Sequence, residues 1–274
     1  MRTWGRAYRL TIIRGSRAII IKNPFKIAFS CDESIKSSGN QMRLQLWGLG
    51  RENRISLVKD EDDKEHVGIE LMVGYREKMP LLFKGSLMKG SFERQGADFI
   101  NTLDCTDGGS DIQYAYTSAC VGSKSEAIRT CLGSYQNVET GTVTAQQELI
   151  RPQVLVGNSS ILVKKMIPPE QDFFITNEQA FILGRNEVRK GYAPLVSAKT
   201  GLIGIPQSAG KELEFDTMMN PTLELGAMMV LNSVQNPKLN GVYKIIAMTT
   251  VGESHGESWF QHVKAVRAEG FAQI

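Results

Sequence analysis

Cysteine is scarce and scattered: Cys31, Cys105, Cys120 and Cys131 are the only four in 274 residues. No two sit at CxxC spacing, which argues against a thiolate zinc site, and four are too few to staple so long a chain. They read as small, reduced, mostly buried side chains of a protein made in the cytoplasm. Histidine is scarcer still. His66, His255 and His262 are the full set, and none lies at ligand spacing from another His or Cys. His255 and His262 could meet across a hairpin, but two ligands do not define a metal centre, so no metal and no cofactor are expected. Long apolar runs are missing too. The longest near the N-terminus is Ala18-Ile19-Ile20-Ile21, far short of a membrane span, and arginines interrupt every candidate signal core, so no membrane partner is expected. A strong net charge is also absent, the formal value being +3.

What is present is ordinary for a folded chain: 42% hydrophobic and 22% charged residues, with length for more than one packing unit. Charge is uneven locally. Arg2, Arg6, Arg9, Arg14, Arg17, Lys22 and Lys26 precede any acidic residue. They form either a basic face for an acidic partner or nucleic acid, or the solvated side of alternating strands. The acidic run Asp60-Glu61-Asp62-Asp63-Lys64-Glu65 lacks the glycine and spaced acceptors of a calcium loop and reads as a solvated connection.

Period-two alternation dominates the first hundred residues. It marks strands over 8–12, 25–29 and 41–47, the last with Met42, Leu44 and Leu46 on one face, then over 67–74, 81–88 and 97–105. A short helix over 52–58 interrupts them. The pattern changes near Asp107-Gly108-Gly109-Ser110. Ser123-Lys124-Ser125-Glu126 then has the form of a capping box, ahead of an apolar stripe of Ala127, Ile128, Cys131 and Leu132 that stops at Gly133. A second helix is expected from Ser159 or Ser160 to Ile167, ended by Pro168-Pro169, with strands at 172–176 and 179–183. Strands return from Tyr192. An internal echo links Gly68 to Gly85 and Gly226 to Gly241: in each case a Gly-opened strand, a polar loop and a Gly-marked strand. The expected fold class is mainly β with an α/β insert: a first β unit over 1–108, a mixed α/β region over 109–191 and a second β unit over 192–274.

Three strings imitate catalytic or nucleotide motifs. Gly252-Glu253-Ser254-His255-Gly256 matches G-x-S-x-G, but the residues after it alternate like a strand, and His262 is the sole later histidine, so a hairpin tip is expected. Residues 204–211 approximate a phosphate loop with one residue too many between the glycines and Glu212 at the magnesium-ligand position. Gly48-Leu49-Gly50 lacks the third glycine of a dinucleotide loop. No catalytic residue is assigned. Tyr114, Tyr116, Phe173 and Phe174 read as core or interface rather than as a base-stacking platform.

Four stretches together resemble the central baseplate hub of contractile-tailed phages: Trp4-Gly5-Arg6-Ala7-Tyr8-Arg9-Leu10-Thr11; residues 44–49 with 67–85; Lys199-Thr200-Gly201-Leu202-Ile203-Gly204-Ile205-Pro206; and Asn220-Pro221-Thr222-Leu223-Glu224-Leu225-Gly226 with residues 240–245 and Trp259. One departure is the loop at 252–256, where relatives often carry an Asp. The resemblance implies two tail-tube-like β-barrel domains and a homotrimer that adapts a sixfold tail tube to a threefold central spike. It also implies spike, tube or tube-initiator and possible tape-measure partners, DNA only in transit through the lumen, synthesis in the host cytoplasm and residence in the virion baseplate. Leu202, Ile203, Ile205 and Pro206 form an apolar, Gly-bracketed segment that is either subunit interface or intramolecular core. The alternatives are a hexameric tail-tube or distal-tail protein, a cell-wall hydrolase and a basic nucleic-acid-binding β-module.

Overall fold

Strand pairing in this chain follows its alternation. The computed structural model describes residues 5–76, 78–144, 148–268 and 270–274. The first third contains β1 (Arg6–Arg14), β2 (Arg17–Lys22), β3 (Ile27–Ser34), β4 (Gln41–Trp47), α1 (Arg51–Ser56), β5 (Val67–Tyr75), β6 (Leu81–Gln95) and β7 (Asp98–Thr106). The middle contains α2 (Gly109–Tyr114), β8 (Tyr116–Ser123), α3 (Lys124–Leu132), β9 (Glu139–Val143), β10 (Leu149–Asn158), α4 (Ser159–Met166), β11 (Gln171–Thr176), β12 (Gln179–Gly184) and β13 (Glu187–Val188). The last third contains β14 (Leu195–Ser197), β15 (Leu202–Ala209), β16 (Glu212–Met218), β17 (Met228–Asn232), β18 (Gly241–Glu253), β19 (Trp259–Arg267) and β20 (Ala272–Gln273), with a 3-10 turn at Pro237–Leu239. The chain is therefore mostly β, with helices confined to α1 and the middle region.

The sheet topology carries an internal duplication. Strands β3-β4-β7-β6-β5 are neighbours in that order, and so are β15-β16-β19-β18-β17, all antiparallel. Both sets follow one rule: a hairpin, then a three-strand meander folded back onto it. The Gly-marked echo in the sequence lands on matching places, the β5–β6 and β17–β18 pairs. Beyond this the halves diverge, because β5 pairs β1 antiparallel and β17 pairs β14 parallel. The two sets are one sheet, not two. The second half of β18, from Ala247 to Glu253, pairs with β3 and makes a 13-stranded sheet whose main path runs from β15 at one end to β2 at the other.

Burial divides the same way. One apolar cluster holds Leu10, Leu44, Leu71 and Leu103 of the first third, and another holds Phe215, Met229, Ile245 and Val263 of the last. A third packs α3 and α4 under β8 and β10 through Ile128, Leu132, Val163, Val121 and Leu155. A fourth sits where the regions meet: Ile35 from the first, Phe174, Phe181 and Leu183 from the middle, and Leu225 from the last. The rings of Phe174 and Phe181 stack there at 5.5 Å.

Capping fixes the two longer helices. The Ser123 hydroxyl accepts from the Glu126 N–H at 3.2 Å, as the capping box requires, but the Glu126 carboxylate accepts from the Gly122 N–H at 2.8 Å. At α4 the cap is Asn158, not a serine, its side chain accepting from the Ile161 N–H at 3.1 Å, and Pro168-Pro169 follow the helix. Among the described residues no helix is long and apolar enough to cross a membrane.

Candidate assembly interface

The main path of the sheet ends in β15 and β2, each paired on one side only among the described residues, and its side branch ends in β14, paired with β17 alone. Unpaired strand edges are templates for other chains, so these ends are where assembly chemistry must be sought. On β15 the four candidate residues divide two and two. Leu202 packs on the last third's core and Pro206 is buried, whereas Ile203 and Ile205 are 44% and 56% exposed. The division follows period-two alternation, with Ile203 and Ile205 on one face and Leu202 and Pro206 on the other. The ladder slips by two residues between Ile203, opposite Asp216, and Gln207, opposite Glu214, and so keeps the faces. At the other end Ile20 is exposed on β2 beside Arg17 and Lys22, charges that blunt an edge against unwanted pairing.

The basic run near the N-terminus is spent mainly on structure. Arg6 reaches across the molecule to the carbonyls of Glu253, Gly256 and Glu257 and lies over the Trp259 ring. Arg14 bonds the Ser56 carbonyl and Glu65, Arg17 donates to Asn53 at 3.0 Å, and Lys26 pairs with Glu253 at 3.0 Å. Arg9 and Lys22 stay exposed side by side on β1 and β2. Arg2 and Trp4 lie outside the described residues. Elsewhere on the wet face Arg43 pairs with Asp104 at 3.8 Å and Lys264 with Glu214 at 2.8 Å, and His262 Nδ1 lies 2.7 Å from an Asp216 carboxylate oxygen. A groove of about 610 Å³ on this face, lined by Asp32, Arg43, Lys89 and Asp104, holds further such pairing, Lys89 with Glu61 at 2.9 Å.

Two of the three motif mimics form strand ends and turns. Ser254 lies in the turn between β18 and β19, where its hydroxyl accepts from the Ile27 N–H at 3.0 Å and lies 2.9 Å from His255 Nδ1. The strand-to-helix elbow that exposes a nucleophile is not formed. Residues 204–211 run through β15 into its turn toward β16, and no helix follows to receive a phosphate. Tyr114 and Tyr116 are exposed, while Phe173 and Phe174 are core.

The sequence reading missed the seams between the three regions. Asp107, buried at the end of β7, accepts from the N–H groups of Asn177 and Glu178 at the β11–β12 turn, the second at 2.8 Å. Both turn residues have positive φ, 53° and 57°, so the tip is held in a conformation that side chains disfavour. Lys84 adds an ion pair to Glu178 at 3.0 Å. On the other side of the middle region, buried Lys244 of β18 donates to the Gly184 carbonyl at 3.0 Å, its pKa lowered by burial and partly restored by Asp172 and Glu187.

Glu33 is the costly group at this seam. Burial, with Asp107 adding like charge and Arg189 opposing it, pushes its carboxyl up to about 8, and one carboxyl oxygen has no hydrogen-bond partner among the described residues. A carboxyl with a raised pKa holds its proton in the folded state after the unfolded state has released it. Stability therefore falls as pH rises from about 4.5 through about 8 and levels off above that. Glu33→Gln is expected to remove part of that fall, on the order of 3–5 kcal/mol at full ionisation. Urea midpoints at pH 5 and pH 9 measure it, and an unchanged pH slope would show that Glu33 is not the group responsible.

The architecture matches known tail proteins across almost its full length. A tail protein from Neisseria meningitidis superposes with a TM-score of 0.65 at 6% identity, covering 98% of this chain and 98% of that one. The 43 kDa tail protein of prophage MuSo2 from Shewanella oneidensis gives 0.63 at 6% identity, covering 97% and 100%. The E. coli c3393 protein, a type VI secretion component described as structurally similar to the T4 tail proteins gp27 and gp5, gives 0.65 at 8% identity, covering 96% and 78%. No curated protein sequence matches. The chain thus shares the fold of these tail and secretion-system proteins. The model of the baseplate hub gp41 family matches residues 9–265, and the chain belongs to that family. It is a structural component of the virion tail.

Proposed function

We infer that the chain is the homotrimeric hub that joins a sixfold tail tube to a threefold central spike. The duplicated strand order, β3-β4-β7-β6-β5 matched by β15-β16-β19-β18-β17, carries this reading. Two similar units per chain let three chains present six similar surfaces to a tube while keeping threefold symmetry toward a spike. In this reading residues 1–108 and 192–274 are tube-like units and residues 109–191 the insert that braces them. The ring closes where β15 of one copy meets β2 of the next, burying Ile203, Ile205 and Ile20. A heterologous contact of this kind generates a closed ring when the rotation per copy is one third of a turn. The wet face, where Arg43 and Lys264 are paired with Asp104 and Glu214 and Arg9 and Lys22 stay exposed, lines the lumen and offers passing DNA only that short basic patch. A spike protein, a tube or tube-initiator protein and the tape-measure protein are its partners, and the chain performs no catalysis.

Light scattering on the purified protein is expected to give the mass of three copies, and particle images a ring. Six copies would favour a tube or distal-tail protein, and a stable monomer would remove the ring. Ile203→Asp with Ile205→Asp is expected to weaken subunit association at least a hundredfold while leaving the thermal midpoint of the dissociated chain nearly unchanged, since both side chains already face water.

A further inference from the structure

The middle region carries a second unfinished surface, separate from both ends of the large sheet. Strands β8 and β10 form a two-stranded ribbon whose inner face is covered by α3 and α4. Its outer face is bare. Tyr116, Val154 and Val156 are 60%, 68% and 57% exposed, and Cys120, opposite Val154, is the exposed one of the four cysteines. The two outer edges of the ribbon are unlike. On β10, Pro152 supplies no N–H, and the ladder slips between Leu149 and Gln153, so that edge is blunted. On β8, the sequence Tyr-Thr-Ser-Ala-Cys-Val-Gly-Ser contains no charged residue and no proline, and among the described residues no backbone pairs with its outer side. A soluble chain ordinarily guards such an edge.

We propose that the outer edge of β8 is a docking site for an extended segment of another protein, apolar at alternate positions and flanked by acidic side chains, which adds as the third strand of the ribbon. Strand addition supplies backbone hydrogen bonds along β8, and the alternate apolar side chains of the incoming segment continue the surface of Tyr116, Cys120, Val154 and Val156. Charge argues for the acidic flanks. The elements framing the ribbon expose Arg129 on α3, Arg151 on β10, and Lys164 and Lys165 on α4, none of them in an ion pair among the described residues. Lys124, by contrast, is paired with Glu148 at 2.6 Å, and the one acid on α3, Glu126, is held by the Gly122 N–H at 2.8 Å. The same charges argue against a second copy of this chain, because apposing two ribbons would crowd like-charged frames together.

Cys120 makes the site readable in the intact protein. The other three cysteines are buried, so maleimide labels Cys120 first. Two nine-residue peptides serve as probes, both with the centre Val-Thr-Val-Thr-Val, one with two glutamates at each end and the other with two lysines. The acidic peptide is expected to slow labelling at least fivefold and the basic peptide less than twofold. Val154→Glu with Val156→Glu, both on the wet face, is expected to leave the thermal midpoint unchanged and abolish the protection. No protection by either peptide, or equal protection by both, would overturn the site. Labelling that slows with protein concentration alone would assign the surface to a second copy instead. Each of these results can be obtained whether or not the chain forms a trimer.

Discussion

Replacing Asp107 by alanine is expected to destabilise the chain by about 3 kcal/mol and to free the middle region for proteolysis before the rest of the molecule unfolds. Two backbone N–H groups, half-buried at Asn177 and buried at Glu178, lose their acceptor, and a buried donor left unsatisfied costs about 1–3 kcal/mol. The turn they belong to is held at positive φ, so without the carboxyl it relaxes and draws Glu178 away from Lys84. Burial pushes the Asp107 carboxyl up to about 8 while the two N–H donors pull it down. Near neutrality it is largely the neutral acid, which still accepts. Asp107→Asn keeps an acceptor at the same place and is expected to cost only about 1 kcal/mol. Urea unfolding followed by tryptophan fluorescence, with limited proteolysis in parallel, separates the two variants. Equal losses for alanine and asparagine would show that the acceptor is not what seats the turn.

The pattern of residues reveals elements whose cause is local and hides those whose cause is distant. Strand β4 is legible because Met42, Leu44 and Leu46 alternate with Gln41, Arg43 and Gln45, and the structure returns the same bounds. Helix α3 is legible because Ser123 and Glu126 advertise their own cap. Strand β8 is not, since it lacks the charged residues that would mark a wet face, and β10 is disguised by Pro152. At the candidate interface the sequence supplies an apolar segment but not its orientation. Alternation alone sets Leu202 and Pro206 against Ile203 and Ile205, and only packing on the last third's core reveals which of the two faces is buried. The seams were hidden for the same reason: Asp107 reads as part of a Gly-rich turn until residues 177 and 178 are brought to it.

Trp259 tests whether the two halves of the sheet are mechanically one. It opens β19 in the last third, yet its ring belongs to the core of the first, 5.7 Å from Phe29 in an edge-to-face contact and 4% exposed. Its register partner is Gly252, where a Cβ would lie 2.2 Å from the Phe29 ring, so the backbone there is glycine to admit this contact. Arg6 closes the site from outside by bonding the turn at Glu253 and Glu257. Trp259→Ala leaves a large cavity across the β3–β18 seam and is expected to cost about 3–5 kcal/mol, whereas Trp259→Phe, which keeps an aromatic against Phe29, is expected to cost less than half of that. The indole N–H has no hydrogen-bond partner among the described residues, so the difference between the variants reports ring packing and the Arg6 contact over the ring rather than a lost hydrogen bond. If the seam transmits position as well as stability, the alanine variant also associates less well, because β15 and β2 sit at opposite ends of the sheet that this seam joins. Urea midpoints give the first quantity and light scattering the second. Loss of stability with full retention of association would mean that the ring is specified within each unit and not by the angle between them.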